Sequence, residues 1–69
     1  MNEFYVGLAE IFEIEPDSVS ADLLLDDVAW DSLAMVSTIA LFDEVYGKEI
    51  KVDKLKACRT VGDLEQLAQ

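Results

Sequence analysis

The chain contains no histidine, one cysteine and one proline, and it sets only five basic residues against fifteen acidic ones. Each shortage excludes something. With Cys58 alone there is no intramolecular disulfide, so the fold must be held by packing. Without histidine there is no Cys/His cluster of the structural zinc kind. Five bases are too few to follow a phosphate backbone, which argues against nucleic acid as a partner. The N-terminus has no basic stretch leading into an apolar one, so no secretory leader is expected. No unbroken apolar run comes near the ~20 residues of a membrane helix, so neither a membrane span nor a location outside the cytoplasm is expected.

What the chain does have is apolar content and negative charge. Its 69 residues are read as one domain, 1–69, and a hydrophobic fraction of 52% is enough for a packed core. A domain of this size buries only about 60% of the surface its unfolded chain exposes, which leaves little room for a catalytic cleft. The net charge of -10 is unevenly spread. Residues 1–47 hold eleven acids and no base, a charge of -11. Residues 48–69 hold four acids and the bases Lys48, Lys51, Lys54, Lys56 and Arg59, a charge of +1. A basic protein surface is the partner such a distribution favours.

The apolar spacing predicts an all-α fold of three main helices, one short third helix and a long first loop. Phe4, Leu8, Ile11 and Phe12 repeat at helical spacing, with Asn2 as the cap and Pro16 as the limit beyond which the helix cannot run. Gly7 weakens the middle of that helix by roughly 1 kcal/mol relative to alanine. Residues 14–30 read as a connection rich in turn formers, yet Val19, Leu23, Leu24, Leu25 and Val28 are apolar and should pin it to the core. The second helix starts at Asp31 or Ser32 and stops at Gly47, with Met35, Ile39, Phe42 and Tyr46 as its core stripe. Leu33, Val36 and Ala40 fall on a neighbouring face with Ser32 at its edge. A short helical segment is expected around Leu55. The last helix is capped by Thr60 with Asp63 three residues on, and its apolar face is Val61, Leu64 and Leu67.

The chemistry concentrates in Asp31-Ser32-Leu33, at the mouth of the second helix. Alone, Asp-Ser there reads as ordinary helix capping. A serine hydroxyl is a weak nucleophile without a base, and the nearest lysine is more than fifteen residues from Ser32. Ser32 is therefore expected to be acted upon by another enzyme. A helix start also suits a phosphate group, because free backbone N–H groups and the helix dipole favour negative charge there. Cys58 is read as a small packing residue, and the acids at 22, 26, 27 and 31 miss the ligand spacing of a calcium loop.

The stretch Leu24-Leu25-Asp26-Asp27-Val28-Ala29-Trp30-Asp31-Ser32-Leu33 resembles the acyl and peptidyl carrier protein family. So do Asp43-Glu44, Tyr46-Gly47, Ile50 and the ending Thr60-Val61-Gly62-Asp63-Leu64. The resemblance runs from Phe4 to Leu67. It implies that a phosphopantetheinyl transferase attaches 4′-phosphopantetheine from coenzyme A to Ser32, with Asp31 and Leu33 flanking the attachment. It implies a non-enzymatic, monomeric carrier whose arm holds an acyl or aminoacyl group as a thioester for acyl-loading and acyl-transferring enzymes. Leu33, Val36, Ala40, Asp43 and Glu44 match the family's partner-binding positions. Ile39, Phe42, Ile50, Leu55, Cys58 and Val61 match the region where a cargo chain folds back, although space could equally open beside Ala40. Ala29, Trp30, Ala34 and Ser37 depart from the commoner pattern, which points to a specialised lipid, polysaccharide or secondary-metabolite pathway. The rival reading is an acidic helical docking module without cargo.

The charge distribution carries its own prediction. A -11 segment repels itself, and mobile ions relieve that repulsion. The melting temperature at neutral pH is expected to rise by several degrees with added salt or millimolar magnesium. A flat or falling series in differential scanning calorimetry would remove self-repulsion as a limit on stability.

Overall fold

The computed structural model describes residues 2–68. Its helices are α1 (Glu3–Phe12), α2 (Ser32–Tyr46), α3 (Val52–Lys56) and α4 (Val61–Leu67), and two 3₁₀ turns, Pro16–Ser18 and Leu25–Asp27, lie in the long connection between α1 and α2. This is the all-α arrangement expected, with α3 reduced to little more than a turn.

Local chemistry sets the helix ends. The Asn2 side chain accepts from the Phe4 N–H at 2.8 Å and starts α1. Pro16 does not stop it. The helix ends earlier, where Glu13 turns left-handed at φ 59° and the Ile14 N–H reaches back to the Ala9 carbonyl at 3.0 Å. Gly47, at φ 65°, closes α2 the same way, its N–H on the Asp43 carbonyl at 2.9 Å. At α4 the expected capping box forms. Thr60 Oγ1 accepts from the Asp63 N–H, and the Asp63 carboxylate accepts from the Thr60 and Arg59 N–H groups. Those backbone donors hold the Asp63 carboxyl below its ordinary pKa.

The core is built from Phe4, Leu8, Ala9 and Phe12 of α1, Leu41 and Phe42 of α2, Leu55 of α3, Val61 and Leu64 of α4, and Val19 and Leu25 of the long loop. Phe4, Phe42 and Tyr46 form an aromatic cluster with centroids 5.0 to 6.0 Å apart. The Tyr5 hydroxyl donates to Glu65, tying α1 to α4. That bond, with burial and the Glu65 charge, pushes the Tyr5 pKa up to about 12.

The buried stripe of α2 differs from the one read off the sequence. Ala34, Thr38, Leu41 and Phe42 are buried; Met35 and Ile39 are only half-buried, and Tyr46 is 38% exposed. The stripe is rotated toward the small residues because α1 approaches closely on that side. A Cβ at Gly7 would overlap the Leu41 side chain. Thr38 can be buried at no polar cost because its hydroxyl donates to the Ala34 carbonyl at 2.8 Å. Apolar residues surround so much of α2 that periodicity could not choose between the two stripes.

The long loop is pinned by its backbone as well as by its side chains. The Leu25 N–H donates to the Arg59 carbonyl (2.8 Å), the Val61 N–H to the Leu23 carbonyl (3.0 Å) and the Gly62 N–H to the Ala21 carbonyl (2.9 Å). Leu24 faces Thr60 in a single antiparallel bridge. Alternation along this extended stretch turns Leu25 fully inward, half-buries Leu23 and leaves Leu24 49% exposed. Leu24 is thus a surface residue, unlike its two neighbours.

Gly7 gives a sign-reversal prediction. Helix propensity alone says Gly7→Ala stabilises by about 1 kcal/mol. The contact with Leu41 says that overpacking costs about 1–3 kcal/mol. Gly7→Ala is expected to lower the urea midpoint in the wild-type background and to raise it in a Leu41→Ala background. Stabilisation in both backgrounds would show that the close approach of α1 and α2 is not limiting.

Candidate functional site

Ser32 is the first residue of α2, and its side chain is exposed. Asp31 caps the helix from extended backbone at φ -115°, its carboxylate accepting from the Ala34 N–H at 2.9 Å. The Met35 N–H closes the first helical turn on the Asp31 carbonyl, also at 2.9 Å. Helix geometry leaves the N–H groups of the first residues without an intrahelical acceptor. Ser32 therefore presents its hydroxyl to solvent at the positive end of a fifteen-residue helix.

What precedes Ser32 is held firmly. Trp30, next but one in the chain, packs edge-on against Phe12 of α1 with centroids 6.1 Å apart and joins the margin of the core. Its N–H donates to the Val28 carbonyl at 2.8 Å. Further back, Leu25 is anchored to Arg59. The bulky Trp30 beside the motif thus fixes the loop end against α1.

The five positions matched to partner contacts share one exposed face. Leu33 is 74% exposed and Val36 62%, and Ala40, Asp43 and Glu44 are also exposed. At 100° per residue these five span about a quarter of the helix circumference, with Ser32 just beside them. Two large apolar side chains thus stand in water beside the Ser32 hydroxyl. No acid lies between Asp31 and Asp43 on α2, so the charge sits at its two ends.

The space expected between the helices is largely filled. Phe42, Leu55 and Val61 are fully buried, while Ile39, Ile50 and Cys58 pack against the core from its edge. Open space lies instead beside Ala40, in a groove of about 470 Å³ lined by Val36, Ile39, Asp43 and Glu49. Cys58 is half-buried, its thiol donating to the Lys54 carbonyl at 3.4 Å. Burial raises its pKa, which makes it a poor thiolate. Among the described residues no group of three or more Cys, Asp or Glu side chains is placed to hold a metal ion, and no helix is long and apolar enough to cross a membrane.

The Asp31 geometry separates two roles that the sequence left combined. Asp31→Ala removes the cap and is expected to cost about 1 kcal/mol of stability. Asp31→Asn keeps a capping oxygen and should leave the melting temperature within a degree or two, while slowing modification of Ser32 by a transferase that reads the charge. Equal modification rates for Asp31→Asn and wild type would reduce Asp31 to a cap.

The sequence profile of the phosphopantetheine attachment site family matches residues 7–68. The chain is 40% identical over 67 residues to the meromycolate extension acyl carrier protein of Mycolicibacterium aurum, covering 90% of this chain and 69% of that one. It is 37% identical over 67 residues to the protein of the same name from Mycobacterium tuberculosis, covering 90% of this chain and 58% of that one. It is 41% identical over 51 residues to an acyl carrier protein of Tropheryma whipplei, covering 72% of this chain and 62% of that one. The exposed serine at a helix start fits a phosphodiester-linked arm, since the hydroxyl is accessible and the flanking backbone favours negative charge. The chain belongs to the phosphopantetheine attachment family of acyl carrier proteins, and 4′-phosphopantetheine is its covalent prosthetic group.

Proposed function

We propose that this chain, as a single domain of residues 1–69, is a stand-alone acyl carrier whose phosphopantetheine is joined to Ser32, and that it serves a specialised lipid pathway. The observation that carries the reading is Ser32 itself: an exposed hydroxyl at the first position of α2, inside Asp31-Ser32-Leu33. Likeness to meromycolate extension carriers favours long-chain lipid assembly over aminoacyl transfer. When bound, the prosthetic group supplies a terminal thiol that holds an acyl chain as a thioester.

The chain's own residues position and present; they do not catalyse. Ser32 Oγ would be the acceptor oxygen: its bond to the arm's phosphorus would form as the pyrophosphate of coenzyme A breaks and adenosine 3′,5′-bisphosphate leaves, and its proton would pass to a base on the transferase, since this chain has no histidine. Asp31 sets the helix start and places a carboxylate beside Ser32. The N–H groups at the start of α2 stabilise the phosphodiester's charge. Leu33 and Val36 give acyl-handling enzymes an apolar centre to cover, and Asp43 and Glu44 steer basic residues toward the far end of α2. Nothing in this set amounts to a catalytic apparatus, and we read the protein as a soluble cytoplasmic monomer.

Intact-mass measurement after incubation with coenzyme A and a broad-specificity transferase tests the assignment. Wild type is expected to gain about 340 Da, the mass of one phosphodiester-linked arm, and Ser32→Ala to gain nothing while melting normally. A gain that persists in Ser32→Ala would place the arm elsewhere. No gain in wild type would favour the docking module without cargo.

A further inference from the structure

Beside the α2 face just described lies a second surface, running along the crossing of α1 and α2. Two hollows, of about 420 Å³ and about 380 Å³, share Glu10 in their walls, and the stretch of surface they cover is here termed the furrow. Between the helices Ala34 and Leu41 are buried, with Leu41 filling the space beside Gly7, and half-buried Val6, Ile11 and Val45 lie along the seam. The rim is acidic along its whole length, with Glu3, Glu10 and Glu13 on the α1 side and Asp31 and Glu44 on the α2 side. All five carboxylates are exposed, and the five bases of the chain all lie in residues 48–59, outside the furrow.

We infer that this furrow is a second docking surface, which takes a lysine- or arginine-bearing amphipathic helix of a partner protein. Charge complementarity selects the occupant. A rim with five acids and no base repels another acidic surface and discriminates against a neutral one. Half-buried Val6, Ile11 and Val45 give the apolar face of such a helix a strip to lie against along the seam between α1 and α2. A second copy of this chain is a poor occupant, because each copy carries -10.

The furrow and the Ser32 face occupy adjacent sectors of α2. Ala34, Ser37, Leu41 and Val45 look into the furrow, while Val36, Ala40 and Asp43 look away from it. Leu33 and Glu44 lie on the border between them. A partner seated in the furrow would leave Val36 and Ala40 free for an enzyme acting on the arm. The carrier could thus be held by one protein while another uses its cargo. The inference does not depend on modification of Ser32 and is tested on the unmodified chain.

The probe is a synthetic amphipathic helical peptide with leucines on one face flanked by lysines, compared with a scrambled peptide of the same charge. Amide chemical shifts of the ¹⁵N-labelled protein are followed during titration. The patterned peptide is expected to move Val6, Gly7, Ile11, Ala34 and Leu41 and to bind more tightly than the scrambled one. Glu3→Lys/Glu10→Lys should weaken it about tenfold at low salt, with the deficit shrinking as salt rises. The charge-matched Asp17→Lys/Asp27→Lys, outside the furrow, should weaken it far less. Shifts centred on Val36, Ala40 and Asp43 would overturn the inference. So would equal binding of the two peptides, or equal losses in the two variants, either of which would reduce the effect to polyanion attraction.

Discussion

A short backbone seam holds the long loop against the start of α4, and the position of Ser32 follows from it. Ala21, Leu23 and Leu25 exchange hydrogen bonds with Gly62, Val61 and Arg59 at 2.8 to 3.0 Å. Each is worth only about 1 kcal/mol net, but together they remove the freedom of a connection some twenty residues long. With Leu25 anchored on one side and Trp30 against Phe12 on the other, the chain reaches Asp31 with a fixed direction. Asp31 then caps α2, and Ser32 emerges at its positive end.

The same arrangement explains how so small a chain combines a packed core with apolar side chains left in water. Burial is spent on a core that joins all four helices and the loop, while α2 keeps large apolar side chains in water at Leu33 and Val36. That exposure costs solubility, which the surplus of acids restores. The acids are kept out of the middle of α2 and placed at its ends, on α1 and in the loop. In the proposed function this distribution steers encounter with a basic partner while the contact centre stays apolar.

Much of this was legible in the sequence, and the reasons are specific. Asp31, Gly47 and the Thr60/Asp63 pair are capping residues with side-chain or glycine signatures, so the limits of α2 and the start of α4 could be read directly. The candidate site Asp31-Ser32-Leu33 is legible through its resemblance to a family, not through its composition. The inner face of α2 was not, because its apolar residues nearly encircle it and the deciding contact is Gly7 against Leu41. Thr38 reads as a surface residue until its bond to the Ala34 carbonyl is seen. The seam leaves only a partial trace: the apolar residues of the loop show that it is pinned, but backbone hydrogen bonds have no side-chain signature, and apolarity alone puts Leu24 inside. The acidic furrow was also hidden, since its rim joins residues that are distant in the chain.

Native-state hydrogen exchange tests the dependence of the site on the seam most directly. If the seam fixes the loop, the amides of Leu25, Val61 and Gly62 should exchange only through global unfolding, with the same free energy as the core amides of α2. Fast exchange of Leu25 and Gly62 while the amides of Leu41 and Phe42 remain protected would contradict the account, because the loop would then open without disturbing the helix that presents Ser32.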